Sequence, residues 1–80
     1  MVETVASWVH DVWSHWMGYV FSKSILNEDG SYTIPTELVD RWQRQIDTFY
    51  EDLPEEEKHS DRTFAKEVIQ IMEDEEECLE

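Results

Sequence analysis

From Val2 to about Ser22 the apolar residues Val5, Val9, Val12, Trp16 and Val20 recur at steps of three and four, the period of one helix face. Trp8, Trp13, Met17 and Phe21 widen that stripe until the helix is apolar over more than half its circumference. A helix that broad packs on two sides, against other helices or against a second copy of itself.

The pattern breaks over Ile25–Pro35. Asn27-Glu28-Asp29-Gly30-Ser31 is a turn signal, since Gly30 tolerates positive φ and Asn27 and Asp29 can bond nearby backbone amides. The flanking Ile25-Leu26 and Tyr32-Thr33-Ile34 can pair as a minimal β-hairpin. A lone two-stranded hairpin is marginal, so a plain loop is the better expectation.

Pro35 then suits the first turn of a second helix, whose stripe is Leu38, Val39, Trp42, Ile46, Phe49 and Tyr50. Pro54 repeats the device for a third, with Glu55, Glu56 and Glu57 at the positive end of its dipole and Phe64, Val68, Ile71 and Met72 as its stripe. Beyond Met72 five consecutive acids repel one another, and the helix is expected to fray. The expected fold is mainly α: a compact three-helix domain over residues 1–72, with helices near 2–22, 35–51 and 54–72, and a fraying acidic tail over 73–80.

Eighty residues stand near the lower limit for a self-sufficient core, which the heavy aromatic content offsets. The charge is more restrictive: 6 basic against 20 acidic residues leave a formal net of -14. Residues 51–80 alone hold thirteen acids and three bases. Such a surface repels phosphate backbones and anionic lipid and favours basic partners, so neither nucleic acid nor membrane is an expected ligand. The single cysteine, Cys78, excludes an intramolecular disulfide, and its acidic neighbours raise rather than lower a thiol pKa. With no apolar run of roughly 20 residues and no basic leader, a soluble cytoplasmic protein is expected.

Motifs with chemistry fare poorly. An EF-hand aligned on Gly30 would need acids where Ile25 and Thr36 stand. His10 and His15 lie roughly 140° apart around a helix and cannot share one metal. Nothing places Ser7, Ser14 or Ser60 in a pocket with a base. No catalytic residue, metal or cofactor is expected, and the chain reads as a non-enzyme.

Four tryptophans exceed what so short a core needs. Trp8 and Trp13 are five apart and cannot point the same way, so one of them belongs to a surplus face: a homodimer seam, a partner hot spot or an aromatic ligand pocket. Arg41 and Arg44 stand out in so acidic a chain. Their plain role is to bond carboxylates on neighbouring helices. The sharper one is an anion site in which Arg41, Trp42 and Arg44 hold a phosphate or nucleotide. The acids Glu55, Glu56, Glu57, Glu73, Asp74, Glu75 and Glu76 either solvate one face or imitate nucleic-acid charge toward a basic groove.

Trp16-Met17, Tyr19, Phe21-Ser22, Asn27-Glu28-Asp29-Gly30-Ser31, Ile34-Pro35, Arg41-Trp42, Arg44-Gln45, Thr48 and Tyr50 together resemble a family of small phage and prophage proteins. Leu53, Glu55, Glu57-Lys58, Ser60-Asp61-Arg62 and Ala65 continue the likeness, which spans roughly residues 8–70. The family carries no assigned activity, so the resemblance implies context alone: an accessory protein acting inside a bacterial cytoplasm. Leu53-Pro54-Glu55-Glu56-Glu57-Lys58 with Asp61-Arg62 is also similar to the end of ryanodine-receptor-type repeat domains, whose His-Pro and Gly-Trp landmarks are missing here. The expectation is an acidic protein that binds a basic host protein, an anti-defence inhibitor among the options, with a homodimer through the Trp-rich first helix. An oligomeric nucleotide binder and a structural assembly helper are the alternatives.

Overall fold

The broad apolar stripe does form one helix, α1 (Val2–Lys23), with Glu3 in its first turn and Lys23 in its last, both suited to the helix dipole. Two serines close it: Ser22 Oγ donates to the Tyr19 carbonyl at 2.7 Å, and Ser24 Oγ to the Val20 carbonyl at 2.7 Å. Both hydroxyls bond back onto the last turns of the helix, as serines near a helix end do. The structure, a computed structural model, describes the backbone of residues 1–79 and the side chains of residues 1–75.

Of the two readings of the next segment, the hairpin is the one that forms. Strands β1 (Ile25–Leu26) and β2 (Tyr32–Thr33) pair antiparallel in the register Ile25↔Thr33 and Leu26↔Tyr32. Side chains supply what two short strands lack. Asp29 Oδ1 accepts from the Ser31 amide at 2.9 Å and from Ser31 Oγ at 2.6 Å. Asn27 Nδ2 reaches Ser31 Oγ at 3.1 Å and Thr33 Oγ1 at 2.9 Å, while the Phe21 and Tyr32 rings stack at 4.9 Å. The Ser31 hydroxyl, and then its backbone amide, holds the Asp29 carboxyl below the usual aspartate range.

Gly30 turns the chain with φ +88°, and the space where a Cβ would sit is open. Gly30→Ala therefore isolates the backbone penalty, about 1–2 kcal/mol for a side chain in left-handed conformation. Urea unfolding checks it: a loss below about 0.3 kcal/mol would mean the turn contributes nothing to the folded state.

Both prolines stand one residue before their helices. The Pro35 carbonyl accepts from the Leu38 and Val39 amides at 3.0 and 3.1 Å and opens α2 (Thr36–Ile46). The Pro54 carbonyl accepts from Glu57 and Lys58 at the same two distances and opens α3 (Glu55–Leu79). Two helix ends differ from expectation. α2 stops at Ile46 rather than near residue 51, because Asp47 and Thr48 bond back onto it: Gln43 Nε2 donates to Asp47 Oδ2 at 3.2 Å, and Thr48 Oγ1 to the Arg44 carbonyl. A short 3-10 turn, Tyr50–Asp52, follows. α3 carries helical backbone past Met72, through the acids expected to end it, to Leu79.

The chain divides into two compact units, residues 1–14 with 54–80, and residues 15–53. In the first, Val5, Trp8 and Val12 of α1 are half-buried, as are Phe64, Val68 and Ile71 of α3. Thr4 bonds Glu75 and Trp8 bonds Glu67, so the two helices run antiparallel. In the second, Tyr19 of α1 meets Trp42 of α2 with ring centroids 6.3 Å apart, and Trp16 meets Tyr19 edge-on at 5.8 Å. Lys23 Nζ lies 5.7 Å over the Tyr19 ring, a cation–π contact that covers its outer face.

Among the described residues no side chain is fully buried. The expected tryptophan-rich core is thus a set of half-exposed aromatic contacts. About 40 residues in each unit are too few to surround a ring on every side.

Candidate interaction surface

The acids of α3 are ordered by helix geometry. Glu55, Glu56 and Glu57 precede Glu73, Asp74 and Glu75 by eighteen residues, which is five full turns and roughly 27 Å of axis. Each acid of the first cluster therefore shares a face with one acid of the second. Glu57 and Glu75 fall on the half-buried side toward α1. Glu75 accepts from Thr4 Oγ1 at 2.9 Å and has the chain's amino terminus 4.0 Å away. Glu56 and Asp74 stand roughly 100° around the helix from that half-buried side, both exposed, with Glu67, which accepts from Trp8, close to the same line. Glu55 and Glu73 stand roughly 160° from the half-buried side, farthest of the three pairs from α1, and both are exposed. The side chain of Glu76 lies outside the described residues.

Two of these carboxylates are tied locally. Arg62 donates to Glu55 Oε2 at 3.0 Å, and that bond, then the guanidinium charge, holds the Glu55 carboxyl below the usual glutamate range. A depressed pKa contributes stability at neutral pH that is lost as the pH falls through the lowered value. Asp74 accepts from Gln70 Nε2 at 2.9 Å, one turn away.

The tryptophans separate cleanly. Trp8 turns into the α1–α3 pair, where its indole N–H donates to Glu67 Oε2 at 3.0 Å. Trp13 is the outward one of the two, 59% exposed, its ring stacked on His10 at 5.9 Å. Glu67 was not a sequence candidate. Its register with Glu56 and Asp74, at intervals of eleven and seven, is the signal that would have found it.

Arg41, Trp42 and Arg44 do not converge. Trp42 faces Tyr19, whereas Arg41 and Arg44 stand roughly 100° or more away around α2, both exposed. Among the described residues no cluster of three or more His, Cys, Asp or Glu side chains is arranged to hold a metal ion. No described helix is long and apolar enough to cross a membrane. Comparison with protein-family models, with curated proteins and with solved structures found no match to this chain.

Proposed function

We propose that this chain is a non-catalytic phage or prophage accessory protein that docks on a basic surface of a host protein. The observation that carries the reading is the exposed acidic line of α3, in which Glu56, Glu67 and Asp74 recur on one side of an unbroken 25-residue helix. Ten acids against three bases along α3 amount to about one net negative charge per 5 Å of axis. Duplex DNA carries about one per 1.7 Å. A charge density near one third of the duplex value favours a basic protein surface over phosphate-by-phosphate imitation. Partial competition with nucleic acid for the same groove follows from that comparison. The resemblance over residues 8–70 supplies the phage setting and the anti-defence option.

Capture from bacterial lysate by the tagged full-length chain tests this. A retained protein should be released by raising salt from about 50 to about 500 mM, and partly by added duplex DNA, because surface charge attraction is screened over that range. The triple variant Glu56→Gln, Glu67→Gln, Asp74→Asn should weaken retention about tenfold, near 1.4 kcal/mol, and the amide oxygen that replaces the Glu67 carboxylate can still accept from Trp8. Retention indifferent to both salt and the variant would rule the acidic line out as the contact.

A further inference from the structure

Each helix of the unit formed by residues 1–14 and 54–80 carries a second apolar row beside the one that joins the pair. On α1, Val2, Ala6, Val9 and Trp13 follow at steps of four, three and four, and all are exposed. On α3, Ala65, Ile69 and Met72 repeat the four-three step and are likewise exposed. Alternating four-three spacing is the seam of helices packed as a four-helix bundle.

Each row lies roughly 100° around its helix from the inner row, in the same rotational sense. The helices run antiparallel, so equal rotations bring both rows to one side of the pair. The Thr4–Glu75 and Trp8–Glu67 bonds set the register. By that register Ala6 stands level with Met72, Val9 with Ile69, and Trp13 with Ala65. The face therefore has three tiers, each end tier pairing a small residue with a large one.

The geometry points to a second copy of this chain as the occupant, related by a two-fold axis that crosses the Val9–Ile69 tier perpendicular to the helices. That operation lays Trp13 on the second copy's Ala6 and Met72 on its Ala65, while Val9 and Ile69 meet their own equivalents. Large side chains land on small ones in both end tiers, the self-complementarity an isologous interface requires.

Area and charge agree. Val2, Val9, Trp13, Ile69 and Met72 are 77, 52, 59, 52 and 51% exposed. Together they leave on the order of 500 Å² of apolar surface in water, most of the roughly 800 Å² per partner that a stable interface buries. Glu56, Glu67 and Asp74 lie on the opposite side of α3, so the acidic line faces away from the contact. A unit of about 40 residues in a chain with one cysteine ordinarily needs an oligomeric partner to be stable.

The inference stands apart from the acidic-docking reading, because salt moves the two in opposite directions. Screening strengthens association of two like-charged copies and weakens docking on a basic surface. Sedimentation equilibrium of the full chain in about 500 mM salt should give twice the 9.6 kDa chain mass. The mass of a single chain up to about 100 µM would overturn the proposal, since a pairing that weak would leave the face open to water at any ordinary protein concentration. Ala6→Trp sets tryptophan against tryptophan and should weaken the dimer at least about thirtyfold, and Ala6→Trp with Trp13→Ala should restore it by exchanging large and small. Both positions are exposed, and the ring contact that Trp13 makes within the chain, on His10, lies within α1 itself. A dimer unaffected by Ala6→Trp overturns the assigned face, and failure of the exchange to restore it overturns the assigned two-fold. If Ala6→Trp lowers the helical signal itself, the wild-type mass and its salt dependence still decide the question.

Discussion

Trp42→Ala is expected to lower the free energy of unfolding by about 2 kcal/mol, and Phe49→Ala by less than about 0.5. Both residues belong to the apolar stripe that the sequence assigns to the second helix. They end in different surroundings: Trp42 is half-buried against Tyr19 at 6.3 Å, whereas Phe49 is 80% exposed beyond the end of α2. Removing a fully buried tryptophan costs about 3–5 kcal/mol, and a ring open to water on one side forfeits roughly half of that. Tyr19 would lose its ring contact with Trp42 and keep those with Trp16 and Lys23. For a chain this short the Trp42 change corresponds to a fall of roughly 10 °C in Tm. Urea unfolding followed by far-ultraviolet circular dichroism measures both variants without relying on tryptophan emission. Equal losses at the two positions would mean that the Tyr19–Trp42 contact does not organise the unit of residues 15–53.

The contrast also marks what a linear reading reaches. Helical period located α1 to within a residue at its C-terminal end, because apolar spacing alone fixes a helix that broad. It overran α2, because Ile46, Phe49 and Tyr50 continue the period while Asp47 and Thr48 turn their side chains back on the helix. Turn chemistry around Asn27, Asp29 and Gly30 was legible. That the turn would carry paired strands depended on Asn27 reaching Thr33 and on Phe21 stacking with Tyr32, contacts between segments. The same limit applies to the surface. Trp8 and Trp13 were recognisable as facing apart, but only the acceptor Glu67 on α3 decides that Trp8 is the inward one. The carboxylates of α3 were legible as a set. Their division into a face toward α1 and a face toward solvent follows from the eighteen-residue repeat once the helix is known to be unbroken.

Raising salt from about 20 to about 500 mM is expected to raise Tm by roughly 5 °C or more. Screening acts on attraction and repulsion alike, so the sign depends on which is larger. Attraction is bounded by six basic side chains, and pairs such as the exposed Arg62–Glu55 contact or the amino terminus 4.0 Å from Glu75 each contribute little. Repulsion is spread over a chain with 20 acids and 6 bases. Two like charges 7 Å apart repel by about 0.6 kcal/mol in water, and many such pairs add along α3. Near 500 mM the Debye length falls to about 4 Å, which removes most of that sum. Potassium and sodium chloride should act alike, because screening does not depend on which cation supplies it. A Tm that falls with salt would show that ion pairs outweigh repulsion and that the acids are matched within the fold. A rise has a further use. If salt strengthens the folded chain while releasing a captured host protein, the release cannot come from unfolding and must come from the screened contact itself.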